Sequence, residues 1–238
     1  MKVLGLIGGL TWEATAVYYE VINRRVRMHL GASHSARCII YSFDLDEIVK
    51  LQHSGDWDQA GKLIIHAATT LKTAGVDAIL ICTNTMHKFA DAVETTSGLP
   101  LLHIIDATAE RVKSAKIHRI GLLGTQFTME EDFYKSRLIE KHNLQVIIPE
   151  AEQRQVVHRI IYDELCQGII SENSRSAYVQ IIEAMAKAGA EGIILGCTEI
   201  GLLLRPEDVP LPTFDTTVIH AEVAADWAIS SDGITEVL

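Results

Sequence analysis

Two short clusters in the chain combine side chains that move protons or hold small anions: Thr83-Asn84-Thr85 and Cys197-Thr198-Glu199. Each closes an aliphatic run, and the two runs are copies of one another. They read Ala74-Gly-Val-Asp-Ala-Ile-Leu-Ile-Cys-Thr-Asn-Thr-Met-His87 and Ala188-Gly-Ala-Glu-Gly-Ile-Ile-Leu-Gly-Cys-Thr-Glu199. With Gly75 laid on Gly189 no gap is needed, and Cys82 falls on Gly196, Thr83 on Cys197, Asn84 on Thr198 and Thr85 on Glu199. A thiol is a compact acid or base whose ordinary pKa, about 8.5, falls at a helix N-terminus. Asn84, Thr85, Thr198 and the N–H groups of following helices are suited to hold a carboxylate and to stabilise enediolate-like charge. Two proton-transfer groups on opposite sides of a small substrate suit one reaction best. One takes a proton from carbon, the other returns a proton to the opposite face, and the centre inverts.

The elements that must position these clusters are short aliphatic strands alternating with amphipathic helices. Val3 to Ile7 closes on Gly8-Gly9, and Thr11 and Glu13 open a helical pattern running to about Leu30, the first half of a β-α-β unit. The glycine spacing is not that of a dinucleotide site. A turn feeding a helix N-terminus can hold a carboxylate, which makes Leu10 and Thr11 binding candidates, or it can be a tight turn alone. Cys38 to Phe43 reads as a second strand, Asp44 to Gln52 as a helix broken at Ser54-Gly55, and Trp57 to Thr73 as a helix. Ala78 to Ile81 is a third strand, Met86 to Thr95 a helix, and Leu99 to Asp106 a fourth strand. The pattern restarts at Ile120-Gly-Leu-Leu-Gly124, which matches Leu4 to Gly8 and ends at Thr125. A helix bearing Glu130, Phe133 and Leu138 follows, then a strand from Gln145 to Ile148, helices from about Glu152 to Cys166 and Ser174 to Ala188, and the repeated strand. Val209 to Asp215 matches Leu99 to Asp106 with one residue removed, and a helix runs through Trp227 before a loose tail from Ser230 to Leu238.

Three matched pairs in the same order imply an internal duplication, with a period far too long for a solenoid. The expected fold is α/β: two similar doubly wound parallel-sheet lobes, residues 1–105 with 215–238 and residues 106–214. Ligands in such sheets sit beyond the carboxyl ends of the strands, where both copies place their polar clusters, and Thr125 and Glu199 there join the substrate-binding candidates. Two facing lobes would enclose one cleft.

The chain has 238 residues, 48% hydrophobic and 22% charged, which is the make-up of a well-cored protein. Its net charge of −10 argues against nucleic acid and against an anionic membrane surface. No stretch approaches the ~18 apolar residues that span a bilayer, and the apolar start is broken too soon by glycine to be a signal peptide. Cys38, Cys82, Cys166 and Cys197 lie far apart, with no zinc spacing and no C-x-x-C, so free thiols in a cytoplasmic, reducing compartment are expected and no metal site is. Cys38 and Cys166 read as small buried hydrophobes. Cys82 adjoins Thr83, but strand alternation turns their side chains to opposite faces. His87 reads as a residue that orients the loop, and Lys2, Lys50 and the helix arginines as solvated.

At Gly8-Gly-Leu-Thr-Trp-Glu13, Ile81-Cys-Thr-Asn-Thr-Met-His87 and Leu195-Gly-Cys-Thr-Glu-Ile-Gly201 the sequence resembles the aspartate/glutamate racemase family, and the resemblance covers nearly the whole chain. It implies a pyridoxal-independent racemase of two lobes with opposed thiols on either face of the substrate α-carbon, no cofactor, and commonly a homodimer. The family's first signature has cysteine directly before Asn-Thr, where this chain has Thr83. The resemblance would have Cys197 act on the L-isomer. Thr83, or water held by it, then serves the other face, and the L-to-D direction is favoured. The family recognises the substrate's side chain from the segment after the second strand, where Gln52 and His53 stand and where no arginine lies between Arg37 and Arg111. That leaves room for substrates beyond aspartate and glutamate. Other readings are a different carbon-acid enzyme of the superfamily, such as a hydantoin racemase or maleate isomerase, and a non-catalytic anion-binding protein. No lysine is marked as a pyridoxal Schiff-base candidate.

Overall fold

The computed structural model describes residues 1–230, so the expected loose tail lies outside the described residues apart from Ser230. The chain divides into two compact units: Met1–Ile104 with the segment from Thr217 onward, and Ile105–Thr216.

In the first unit the chain runs β1 (Leu4–Gly8), α1 (Trp12–Leu30), β2 (Cys38–Ser42), α2 (Leu45–Ser54), α3 (Trp57–Thr73), β3 (Ala78–Ile81), a 3₁₀ turn (Thr85–Phe89) and α4 (Ala90–Ser97). The strands are parallel in the order β2-β1-β3. Alternate residues of β3 serve two cores. Ile79 and Ile81 pack with Ile64, Ala68 and Val93 from α3 and α4. Ala78, Leu80 and Cys82 pack with Tyr18, Ile22 and Val26 of α1 and with Ala221, Ala224 and Ala225. Those three alanines belong to the chain's last described helix. Helices on both faces explain why β1 and β3 are apolar throughout.

The second unit runs α5 (Ile104–Ser114), β4 (Arg119–Gly124), α6 (Gln126–Glu130), α7 (Asp132–Ser136), β5 (Gln145–Ile147), α8 (Ala151–Asp163), α9 (Glu172–Lys187), β6 (Gly192–Gly196), α10 (Ile200–Leu203) and β7 (Thr213–Asp215). α11 (Thr216–Ile229) then returns to the first unit. The sheet order is β5-β4-β6-β7, again parallel. Leu101 forms a single bridge beside Ile79, outside β3, so each unit winds its strands in the same sequence.

The duplication extends to the backbone. Gly75 and Gly189 take positive φ (83° and 97°) where α3 and α9 end, a conformation open to glycine and strained for other residues. The acidic residue that follows does the same work in each copy. Asp77 Oδ2 accepts the Val3 N–H at 2.6 Å, and Glu191 Oε2 accepts the His118 and Arg119 N–H groups at 2.8 and 3.0 Å. Each carboxylate thus fastens the start of the neighbouring strand.

Several expectations are corrected. Leu99 to Asp106 is not a strand: Pro100 offers no N–H, the ladder is limited to Leu101, and α5 starts at Ile104. Pro210 and Pro212 likewise shorten the last strand to Thr213–Asp215. The helix through Glu130, Phe133 and Leu138 breaks at Glu131, whose extended backbone (ψ 152°) separates α6 from α7, and Arg137–Lys141 forms a π-turn. The helix from Met86 begins as 3₁₀. Lys2 is not solvated. Its Nζ donates to the Trp227 and Ser230 carbonyls at 3.1 and 3.2 Å and lies 4.5 Å from the Trp227 ring, a cation at the C-terminal end of α11. Arg25 is paired with Asp226 through two hydrogen bonds of 2.8 and 2.9 Å.

A polar chain crosses the core beside α1. His220 Nε2 faces the Leu102 carbonyl at 2.7 Å and must donate, so Nδ1 accepts from the Tyr18 hydroxyl, also at 2.7 Å. Burial holds His220 neutral and pushes its pKa down to about 4. Its folded pKa lies below the unfolded one, so the unfolded chain binds the extra proton first. Stability is therefore intact above about pH 6.5 and falls as pH drops toward 4, by roughly 3 kcal/mol. Urea melts across this range are expected to show that slope, and His220→Gln to flatten it. An equal slope in the variant would refute the assignment.

Candidate active site

In the first unit, β1 and β3 lie side by side and deliver their loops to one edge. Cys82 N–H bonds the Ile7 carbonyl at 2.9 Å, which brings the Gly8–Thr11 turn next to Thr83–Thr85. Gly9 takes φ +73°, and a Cβ there would lie 2.2 Å from the Phe43 carbonyl oxygen. Only glycine fits, so the tight turn has a packing reason of its own. Thr11 caps α1, its Oγ1 accepting the Ala14 N–H at 3.3 Å, while the side chain of Leu10 is buried in the core.

Thr83 is half-buried, and Asn84 and Thr85 are buried beside it. Strand alternation sets the Thr83 side chain on the face of Ile79 and Ile81. His87 holds this loop from beneath. Its Nε2 accepts the Ile104 N–H at 3.2 Å, so Nδ1 carries the proton and donates to the Thr83 carbonyl at 2.7 Å. Both nitrogens are thereby engaged by main chain, and His87 acts as a brace for Thr83. Gln52, buried on α2, donates to Met86 Sδ at 3.5 Å and so reaches the same loop, whereas His53 is exposed. Cys82 is fully buried among Leu4, Leu6 and Leu80, and burial raises its pKa strongly. Its thiol is a packing group.

In the second unit, β4 and β6 adjoin with Gly124 opposite Gly196, which brings Thr125 and the Cys197–Glu199 turn to one edge. Thr125 caps α6 through the Thr128 N–H. His158, which nothing in the sequence marked, accepts the Gln126 N–H at 3.1 Å. Cys197 lies on the face of Ile193 and Leu195 and is 8% exposed. Its Sγ donates to Glu199 Oε2 at 2.9 Å, and Thr198 Oγ1 donates to the same oxygen at 2.7 Å. Burial first, and then the Glu199 carboxylate, raise the Cys197 pKa well above the ordinary thiol value, so the resting residue is a thiol. The spacing of Cys197 and Glu199 was visible in the sequence, where Glu199 reads as a substrate contact; its bond to sulfur was not.

Six of the expected residues (Leu10, Thr11, Gln52, Thr83, Asn84, Thr85) therefore gather at the strand ends of the first unit, and four (Thr125, Cys197, Thr198, Glu199) at those of the second. All four cysteines are free thiols. Among the described residues, no group of three or more His, Cys, Asp or Glu is placed to hold a metal ion, and no helix is long and apolar enough to cross a membrane.

Residues 7–224 match the family model described as Asp/Glu/Hydantoin racemase. The chain is 24% identical to the broad specificity amino-acid racemase RacX of Bacillus subtilis (strain 168), over 92% of this chain and 95% of that one. A crystal structure from Yersinia pestis, solved as a candidate Asp/Glu racemase, is 55% identical with a TM-score of 0.90, covering 97% of this chain and 100% of that one. An aspartate racemase homologue from Pyrococcus horikoshii OT3 is 35% identical with a TM-score of 0.83, again covering 97% and 100%. The chain belongs to the Asp/Glu/Hydantoin racemase family, and with it to the isomerases.

Proposed function

We propose that the protein is a pyridoxal-independent amino-acid racemase acting on aspartate, glutamate or both, in which Cys197 and Thr83 serve the two faces of the α-carbon. The observation that carries this reading is the repetition of one signature turn in both units: a thiol at the end of β6 and a hydroxyl at the aligned position after β3, each in a polar strand-end cluster of its own unit. Cys197 takes the α-proton of the L-amino acid. Asn84, Thr85 and Thr198 hold the carboxylate while its carbanion forms. Thr83, or water held by it, returns a proton to the other face. A hydroxyl is a far weaker base than a thiolate, so kcat from the D-isomer at saturation is low, with KM lowered in proportion because the enantiomers are equal in free energy.

A broader substrate range is the second reading. It is favoured by the relative named as a broad specificity racemase and by the segment after β2, which has no arginine and whose candidates for an acidic side chain are Gln52, bonded to Met86, and the exposed His53.

The test is a panel of L- and D-amino acids in deuterated water, read for α-proton exchange and chirality. L-Aspartate or L-glutamate is expected to exchange and racemise with no added pyridoxal phosphate, and Cys197→Ala to abolish both. No exchange with any amino acid would mark a binding protein and overturn the proposal.

A further inference from the structure

The repeat differs in how each signature turn is supported. With Gly75 laid on Gly189, Gly201 falls on His87, Leu203 on Phe89 and Arg175 on Gly61. The second copy therefore has a glycine where the first has the histidine that braces Thr83. It also has an arginine where the first has a glycine. In the first unit, Gly61 of α3 makes room for an aromatic ring, since a Cβ there would lie 2.8 Å from Phe89. The aligned pair in the second unit meets through a hydrogen bond instead. Arg175 of α9, expected with the other helix arginines to be solvated, donates from Nε to the Leu203 carbonyl at 2.8 Å, and its side chain is only 19% exposed.

We infer that Arg175 is a positioning residue for the reaction: it fixes the far end of α10 and, through α10, the placement of Cys197. This rests on the racemase reading above.

α10 is a single turn of four residues, too short to hold its shape alone. It grows directly out of the signature turn. The Ile200 N–H bonds the Cys197 carbonyl at 3.1 Å, and the Leu202 N–H bonds the Glu199 carbonyl at 3.0 Å, so the turn and α10 are one piece of backbone. The near end of that piece is fixed by β6. At the far end, the last carbonyls of a helix have no partner within it, and Leu203 is fully buried, where water cannot serve. The Arg175 guanidinium fills that need, as basic side chains near helix C-termini do. Arg175 is itself held, with Nη1 donating to Glu172 and Nε lying 3.8 Å from Asp208 Oδ2.

The space around α10 leaves little slack. Ile200 and Leu203 are fully buried in the core that also contains Cys197. Gly201 approaches β7 so closely that a Cβ would lie 2.5 Å from Asp215 Oδ2. A shift at Leu203 is therefore passed to the thiol, and a displacement of about 1 Å in a reacting group costs about 10²-fold in rate. Leu203, Glu172 and Asp208, the partners of Arg175, have no part in the reaction, so its effect is on placement alone.

Arg175→Met keeps the length of the side chain and removes its donors. Its L-to-D kcat is expected to fall about 10- to 100-fold with KM within about threefold, because Asn84 and Thr85 hold the substrate carboxylate in the ground state on the racemase reading. Arg175→Lys, which offers one ammonium in place of a planar fork, is expected between the two, about 3- to 10-fold below wild type. Main-chain amide exchange followed by mass spectrometry is expected to quicken about tenfold in residues 197–204 of Arg175→Met and to stay unchanged in β4. A folded Arg175→Met with kcat within twofold of wild type, a loss of kcat that only follows the folded fraction, or exchange that quickens equally in β4 overturns the role. If Arg175→Met does not fold, Arg175→Lys decides alone, and wild-type kcat with wild-type exchange in that variant overturns the role. Failure of the racemase reading would show separately, as a wild type with no α-proton exchange, and amide exchange in residues 197–204 would still test the hold of Arg175 on α10.

Discussion

Thr83→Cys is expected to raise the D-to-L kcat at saturating substrate by about 100-fold or more while leaving the L-to-D kcat within a few-fold; the enantiomers are equal in free energy, so the two kcat/KM values stay equal and the change is offset in KM. The reasoning starts from acidity. A threonine hydroxyl is essentially never ionised near neutrality, whereas a thiol ionises far more readily, and proton transfer by a positioned group contributes about 10²–10⁴-fold. The backbone that would carry the new thiol is already braced, because His87 donates to the Thr83 carbonyl and is itself tied to Ile104. The substitution therefore changes the acid–base group without moving the loop. Initial rates from each enantiomer at saturating substrate, followed by circular dichroism, measure it. Equal rates from L- and D-substrate in the wild type, or no D-to-L gain in the variant, would remove Thr83 from its role.

Asp106→Ala is expected to cost about 3 kcal/mol of unfolding free energy. Asp106 lies 3% exposed on α5 and accepts from four donors: Arg137 Nε and Nη2 at 2.7 and 2.6 Å, Lys141 Nζ at 2.8 Å and His142 Nε2 at 2.8 Å. Removing it leaves the half-buried guanidinium without its bidentate acceptor, and His142 with Glu110 as its remaining carboxylate. Lys141 is half-exposed, so Lys141→Ala should cost no more than about 1 kcal/mol. Urea denaturation of the two variants side by side checks this, and a loss below 1 kcal/mol for Asp106→Ala would refute it.

The same cluster shows where the sequence stops being legible. Asp106 meets partners 31 to 36 residues away, all of them on or next to a π-turn, and no periodicity announces such a turn. The paired strands, the left-handed glycines and the two signature turns were readable because each is set by local chemistry: aliphatic runs, helix ends and small polar residues within a few positions of one another. The start of α5 was not, since His87 caps Ile104 from across the first unit and overrides the β-branched run at Ile104 and Ile105. Glu199 reads from the sequence as a substrate-binding residue, and its bond to the Cys197 thiol is added by the structure. Its type and position could be read, but the direction of its side chain, back toward sulfur, could not.

The carboxylates of Asp77 and Glu191 have a wider consequence. They anchor the entry of the neighbouring central strands, β1 and β4, to the copied stretches whose far ends carry Thr83 and Cys197. Strand register is thus secured at the edge away from the chemistry. Such a layout insulates folding from catalysis. An exchange of thiol for hydroxyl at a strand exit disturbs none of the contacts that define its sheet, so the two halves of a duplicated protein can diverge in reactivity while remaining alike in architecture.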